Sequence, residues 1–305
     1  MLRYVLRRIG IGVITLLALV VVTFLLVHLM PGNPFDIANL TPSNQEEMMH
    51  HYGLDRPVLE QLGQYIANLL HGDFGISFKK SGVSVSELIA QKAPATMRLG
   101  GIAFLVALVF GTLIGIRTAT TGHEAVRGTV LTFTTLGISV PNYVLALVLM
   151  LVFGVQLKWF PVLGLTTPMH YVLPVTALAV YPLAQISRLV KSSFSEAMQQ
   201  DYVTMAKAKG IPASRVTMLH ILKNAMIPVI TAAGPMIAFL LTGSFVVETI
   251  FTIPGIGREF VTAVSNRDYT VVMGLTIFIG ALIILCNLAA DLLCALIDPR
   301  IKLTD

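Results

Sequence analysis

Residues 201–228 read DYVTMAKAKGIPASRVTMLHILKNAMIP and lie between two long apolar segments. The pattern predicts two short helices with a break at residues 210–212, where glycine, isoleucine and proline follow one another. In the first helix, Tyr202, Met205 and Ala206 recur at helical spacing and form a small apolar face. The stretch is also basic, since it contains Lys207, Lys209, Arg215 and Lys223. An apolar face on a connecting loop is unfavourable in water unless something covers it, so we expect this loop to dock onto another protein.

The composition is that of a membrane protein. Hydrophobic residues make up 55% of the sequence and charged residues 12%, with a mean hydropathy of +0.80. A soluble protein carries about twice that share of charge. Apolar stretches long enough to cross a bilayer lie near residues 9–30, 99–120, 129–155, 169–190, 226–247 and 271–297. Backbone groups in lipid must bond to one another, and the period-2 alternation of a barrel is absent, so we expect an all-α fold with one transmembrane helix per stretch.

The distribution of basic residues predicts the orientation. If the N-terminus is cytoplasmic, most of the 21 lysines and arginines fall in or beside residues 1–8, 121–128, 191–225 and 298–305. The two short outer loops then contain only Lys158, Arg258 and Arg267. We therefore expect both termini in the cytoplasm. The net charge of +5 follows from this inner-face bias and requires no nucleic-acid partner.

The basic N-terminus raises the alternative of an export signal. Arg3, Arg7 and Arg8 precede an apolar run that is longer than the apolar region of a typical signal peptide. No small-x-small cleavage site follows before Pro31. We expect an uncleaved first span rather than a signal peptide or a twin-arginine signal.

The chain is predicted to be one integral membrane domain over residues 1–305, with an external insert at 31–98 and a cytoplasmic loop at 191–225. The insert is expected to form a small lobe rather than an independent domain. Its predicted elements are a short capped helix at 43–51, an amphipathic helix at 59–70, a turn at 71–75 and a further helix at 85–91.

Several spans contain residues that suit a translocation path. Prolines interrupt them at Pro141, Pro174, Pro182 and Pro235. Proline frees backbone carbonyl groups, which in lipid must face protein or a water-filled cavity. The polar side chains of Asn142, Gln185 and Asn287 also lie within spans. These residues either line the path or, alternatively, belong to ordinary packed helices and bond to their neighbours.

The sequence lacks the motifs of most membrane enzymes and pumps. It has no GxxxxGK[ST] phosphate loop, no HExxH and no metal-spaced cysteine and histidine cluster, so no metal site is expected. Asp291 is the only ionisable residue that the predicted spans clearly contain, which argues against a proton-coupled secondary carrier.

An intramembrane serine protease is a further alternative for a chain with six spans. Candidate nucleophiles are Ser139, Ser187 and Ser244, and His170 lies at the edge of a span. No GxSxG signal surrounds these serines, and intramembrane serines usually bond to helix carbonyls. We expect no catalysis by this chain.

The segment at 201–228 resembles the EAA loop of permease subunits of binding-protein-dependent ABC importers. Ala206, three residues and then Gly210 match the core of that motif, although Thr204 and Met205 replace its usual Glu-Ala. The form AKAKG at 206–210, with a proline at 228, resembles the peptide branch. Three further stretches point the same way: LRYVLRR at 2–8 with HLMPGNP at 28–34, HGDFG at 71–75, and ETIF-x-x-PGIG at 248–257 followed by NRDY at 266–269. The best match is the first permease subunit of oligopeptide or dipeptide importers. Glutathione and nickel importers use similar subunits.

This resemblance implies a permease in a bacterial inner membrane that works by alternating access. It implies a heterodimer with a second homologous permease, two ATP-binding cassette ATPase subunits below it, and an extracytoplasmic peptide-binding protein. ATP and magnesium would be bound by the ATPases, and no cofactor by this chain. The residues implied to couple to an ATPase are Asp201, Tyr202, Met205, Ala206, Gly210 and Arg215. The alternative for this loop is binding to anionic lipid headgroups alone.

The outer loop at 251–269 is predicted to close an outer gate or to contact the binding protein. The residues expected to take part are Pro254, Gly255, Gly257, Arg267 and Asp268. A simple cap over the helix bundle is an equally open alternative.

Overall fold

A computed structural model describes residues 2–29, 46–47, 49–50, 53–80 and 82–297. Within these residues the only β-type pairing is an isolated antiparallel bridge between Ile76 and Ser84, and the all-α class is confirmed. Most of the motif at 28–34, most of the helix predicted at 43–51 and the end of the chain at 298–305 lie outside the described residues.

The helices are numbered here in chain order. The first six are α1 (Leu2–His28), α2 (Val58–Leu70), α3 (Val85–Thr120), α4 (Glu124–Ser139), α5 (Asn142–Leu149) and α6 (Met169–Met198). The others are α7 (Asp201–Ala208), α8 (Ala213–Arg215), α9 (Lys223–Ala225), α10 (Ile227–Ile250), α11 (Ile256–Ser265) and α12 (Tyr269–Ile297). Turns of π-helix extend α5 over Met150–Gln156 and join α8 to α9 over Val216–Leu222.

Five described helices are long and apolar enough to cross a membrane: α1, α3, α6, α10 and α12. The span predicted at 129–155 is not a single helix, because α4 and the α5 segment meet at an angle of 103°. Pro141 explains the break. It has no N–H to continue the helical ladder, and the preceding Val140 adopts an extended backbone with φ −85° and ψ 121°. The bent pair brings the number of spans to six if it is counted as one.

The second span is longer than predicted. The sequence suggested a separate helix at 85–91 and a span from residue 99, but α3 is a single helix of 36 residues that contains Pro94. At 1.5 Å per residue it is about 54 Å long, whereas the hydrocarbon core of a bilayer is about 30 Å thick. The end of the predicted insert is therefore the first part of a transmembrane helix.

The chain divides into two compact units, of which the first contains Met1–Thr96 and Pro254–Ile284. Its core includes the fully buried Val85 of α3, Leu275 of α12 and, from α11, Ile256. The amphipathic α2, predicted at 59–70, is present, and its Tyr65 lies against the ring of Phe24 in α1. Burial raises the pKa of the Tyr65 phenol, and the negative charge of Asp73 raises it further.

The second unit contains Met97–Ile253 and Leu285–Asp305. In it α6 is the central helix and packs against α4, α5 and α10. The helix α3 approaches α6 closely through Gly111 and Gly115. A Cβ at Gly115 would lie 2.7 Å from Cβ of Val190 and 2.8 Å from the carbonyl oxygen of Ser187. This small-xxx-small spacing allows two membrane helices to pack backbone against backbone.

Candidate functional site

The helix break predicted after α7 is present and has the geometry of a Schellman motif. The N–H of Gly210 donates to the carbonyl of Lys207 at 2.9 Å, and the N–H of Ile211 donates to the carbonyl of Ala206 at 3.3 Å. Gly210 has φ +72°, in the left-handed region that favours glycine. A Cβ there would meet no atom within 4 Å, so the backbone conformation and not the available space demands glycine.

The inner side of this corner is a small hydrophobic core. We call residues 201–225 the corner segment. Its buried residues pack against Phe194 and Ala197 at the C-terminal end of α6 and against Ala119 at the end of α3. The buried residues are Val203, Ala206, Val216, Ile221 and Ala225. The corner segment is therefore fixed to the end of α6 by side-chain packing, in addition to the chain connection.

The predicted apolar face of α7 is divided between two sides of the helix. Ala206 is only 5% exposed and lies inward with Val203, whereas Met205 is 59% and Tyr202 37% exposed. The placement of Ala206 on an outer, partner-contacting face is thus corrected. The prediction overlooked Val203, which lies about 60° from Ala206 around the helix, whereas Met205 lies about 100° away on the other side.

The outer side of the corner segment is apolar and basic. Met218 and Leu219, which the sequence interpretation missed, are each 60% exposed, and Asp201 and Arg215 are also exposed. The Nδ2 atom of Asn224 donates to the hydroxyl of Tyr202 at 3.0 Å and so connects the two helical parts of the segment. This outer side presents apolar area that the described residues of the chain leave uncovered.

The candidate outer-gate residues lie in the first unit, in contact with the HGDFG region. Asp268 is 3% exposed, and its carboxylate accepts hydrogen bonds from the hydroxyl of Ser77 and, at 3.1 Å, from the N–H of Phe78. Lys80 forms an ion pair with Glu259 of α11. Residues 71–80 and 254–268, which are far apart in the sequence, therefore form one lobe.

The other predicted gate residues differ in their burial and backbone conformation within this lobe. The loop predicted at 251–269 contains α11, which begins directly after Gly255. Gly255 and Gly257 are buried, Pro254 is exposed, and Arg267 has a positive φ of 55°. The amide of Ile256 donates to Thr96 at 2.9 Å.

The polar residues predicted to line a translocation path have different environments. Asn142 is the first residue of α5, directly after the break at Pro141. Gln185 donates through Nε2 to the hydroxyl of Tyr181 at 3.1 Å. The Oδ1 atom of Asn287 is buried and has no hydrogen-bond partner in the described part of the chain. Of these side chains, Asn287 alone has a buried acceptor atom that is unused there.

Two of the three serines considered as nucleophiles, Ser139 and Ser244, bond within their own helices. Ser139 donates to the carbonyl of Thr135 at 2.8 Å. Ser244 lies 2.7 Å from Oε1 of Glu248, a fully buried carboxylate in α10. The sequence interpretation missed Glu248 as an ionisable residue inside a span, because it ended that span at residue 247, whereas α10 continues to Ile250.

The comparisons with known proteins agree with this architecture. Residues 111–303 match the family described as binding-protein-dependent transport system inner membrane component, and residues 1–100 match its N-terminal counterpart. The chain is 40% identical to the dipeptide transport system permease protein DppB of Bacillus subtilis, over 99% of both proteins. It is 38% identical to DppB of Lactococcus lactis and 37% identical to the oligopeptide transport system permease protein OppB of Salmonella typhimurium. Both of these matches cover 99% of this chain and 100% of the relative.

Solved structures show the same fold at low sequence identity. The MetNI methionine ABC transporter in an inward-facing conformation matches with a TM-score of 0.55 and 16% identity, covering 69% of this chain and 96% of that chain. An amino acid ABC transporter crystallised with histidines matches with a TM-score of 0.52 and 16% identity, covering 71% and 95%.

The apolar spans and the ordered corner between two of them define a polytopic membrane transport subunit. The chain belongs to the family of inner membrane components of binding-protein-dependent transport systems. The resemblance stated from the motifs is thereby confirmed.

Proposed function

We propose that this chain is a permease subunit of an ATP-driven importer that moves dipeptides or oligopeptides into the cytoplasm by alternating access. Relatives that are 37–40% identical along the whole chain have dipeptide and oligopeptide transport in their names, which supports this substrate class. The observation that carries the coupling mechanism is the corner segment packed onto the end of α6.

The proposed transporter contains further subunits. A second homologous permease completes the pore, two ATPase subunits bind ATP and magnesium, and an extracytoplasmic binding protein delivers the peptide. The family description, which refers to binding-protein-dependent transport, supports the last of these partners. In this proposal the chain hydrolyses nothing, and its termini and corner segment lie in the cytoplasm.

The corner segment is proposed to transmit motion from an ATPase to the spans. Met205 and the other exposed apolar residues of the segment contact the ATPase, while Val203 and Ala206 share a hydrophobic core with Phe194 of α6. Packed side chains are close to incompressible, so a displacement of α7 moves the end of α6 with it. Pro174 and Pro182 lie nearer the N-terminal end of α6. A motion of the helix at these positions can change the shape of the translocation path.

The proposal is tested with the complete transporter reconstituted in vesicles, by measuring ATP-dependent uptake of a labelled dipeptide. The variant Met205→Glu places a charge on the exposed side of α7. We expect it to insert normally but to lose ATPase copurification and uptake by about tenfold or more, because a charge in the centre of an apolar contact is left without solvent.

Thr204→Glu is the matched control, since it adds the same charge to the same helix about 100° away from Met205. It should retain the ATPase. Full copurification and uptake by Met205→Glu would contradict the coupling role. Uptake of another solute without any dipeptide uptake would contradict the substrate class and leave the coupling role intact.

A further inference from the structure

A cavity of about 510 Å³ lies in the second unit between α4, the C-terminal half of α6 and the last turn of α3. The side chains of Arg127, Arg188 and Lys191 line it, and the buried hydroxyl-bearing residues Thr134 and Ser187 form part of its wall. No aspartate or glutamate is among the described residues that line the cavity. Its lining therefore offers many hydrogen-bond donors and three positive charges.

These positive charges are not neutralised within the described chain. None of the three cations takes part in an ion pair with another described residue. Arg188 instead donates from Nη2 to the uncharged hydroxyl of Thr135 at 2.7 Å. A guanidinium group has five N–H donors, so this bond leaves donors of Arg188 available to another acceptor. Several like charges around one cavity repel one another, and an anion bound between them would offset that repulsion.

The cavity also has an apolar side. Val130 and Leu131 of α4 line it, and Leu131 is 55% exposed. Cations together with hydroxyl groups suit a phosphate, and the adjoining apolar surface suits an acyl chain. A ligand with both parts fits this lining better than a free anion does.

The position along the spans favours the same ligand. The cavity lies where α3 ends, α4 begins and α6 approaches the corner segment. In the proposed orientation this is the cytoplasmic side, where basic pockets between transmembrane helices bind the headgroups of anionic lipids.

We propose that this cavity is a binding site for the phosphate headgroup of an anionic phospholipid of the inner leaflet, held by Arg127, Arg188 and Lys191. The hydroxyl groups of Thr134 and Ser187 provide further donors, and Val130 and Leu131 contact the first part of an acyl chain. The choice of leaflet rests on the proposed orientation, whereas the ligand chemistry rests on the cavity alone.

The test uses the complete transporter, purified in a mild detergent and incubated with phosphatidylglycerol, phosphatidylcholine or inorganic phosphate. Native mass spectrometry measures bound lipid, and thermal unfolding measures the Tm shift. We expect retention of phosphatidylglycerol, with no comparable retention of phosphatidylcholine. The double variant Arg188→Gln, Lys191→Gln should bind phosphatidylglycerol more weakly by about fivefold for each cation removed.

Two controls distinguish a built site from general charge. The double variant Lys207→Gln, Lys209→Gln removes the same net charge from exposed residues that do not line the cavity, and it should retain the lipid. Lys191→Arg keeps the charge in the cavity and should also retain it.

Equal lipid retention by the wild-type transporter and the Arg188, Lys191 double variant would overturn the proposal. An equal Tm shift with inorganic phosphate and with phosphatidylglycerol would overturn the lipid assignment and indicate a free-anion site. Neither measurement involves transport, so the result stands apart from the proposed peptide import.

Discussion

Gly210 shows how one residue determines the shape of the corner segment. Its φ of +72° lets the amides of Gly210 and Ile211 satisfy the last carbonyls of α7. A residue with a Cβ is disfavoured in this conformation by about 1–2 kcal/mol, and a β-branched residue fits least well. The same turn brings Ile211 back onto the core that contains Ala206. Changing the backbone preference at this position should therefore alter the corner without removing any side-chain contact.

We predict that Gly210→Val abolishes ATP-coupled uptake while membrane insertion continues, because valine does not adopt the left-handed conformation that the corner requires. Gly210→Asn is the matched control, since asparagine tolerates this conformation and should keep most of the activity. Uptake in reconstituted vesicles and the amount of inserted protein are the measurements. If valine and asparagine supported equal uptake, the conformational role of Gly210 would be wrong.

At the scale of secondary-structure elements, the main feature is the close packing of helix α3 against helix α6. At Gly111 and Gly115 the two helices approach so closely that an added Cβ would lie 3.0 Å or less from atoms of α6. Because α6 also carries Phe194, against which the corner segment packs, this contact supports the helix that is proposed to receive the motion.

Gly115→Ala is predicted to lower the thermal stability of the transporter in detergent. The added methyl group overlaps Val190 and the carbonyl of Ser187, and such overpacking typically costs about 1–3 kcal/mol. Gly101→Ala adds the same group to the same helix where no atom lies within 4 Å, so it should leave the Tm unchanged or raise it. A Tm for Gly115→Ala equal to that of Gly101→Ala would show that the close approach is not maintained.

At the scale of the whole molecule, the orientation in the membrane remains the main prediction from the charge distribution. It assigns the corner segment to the cytoplasm and the lobe at 71–80 and 254–268 to the opposite side. Two exposed serines allow each side of the membrane to be probed by labelling. Ser214 lies in the corner segment, and Ser265 lies at the end of α11 in the lobe.

In a background with Cys286→Ala and Cys294→Ala, which removes both cysteines of the chain, single cysteines are introduced as Ser214→Cys or Ser265→Cys. A membrane-impermeant maleimide applied to intact spheroplasts should label Ser265→Cys. It should label Ser214→Cys only after the membrane is opened. The reverse labelling pattern would show that the predicted orientation is wrong.

The class of the protein, the approximate positions of its spans and the corner at Gly210 followed from sequence alone. Hydropathy reports whether a segment can leave water, and glycine or proline chemistry acts on the local backbone. Both are properties of neighbouring residues, so a pattern along the chain is enough to detect them. The motifs are likewise patterns along the chain, so their resemblance pointed to the family that the full-length relatives confirm.

Other features depended on which surfaces meet in three dimensions. The sequence did not separate inward-facing Ala206 from exposed Met205, because burial depends on where α6 lies. It did not pair Asp268 with Ser77 across 191 positions of sequence. Nor did it place Arg127 of α4 beside a cavity that Arg188 and Lys191 of α6 also line. Local chemistry determined the helices and the corner, whereas tertiary packing decided which side chains face the core, the lobe and the cationic cavity.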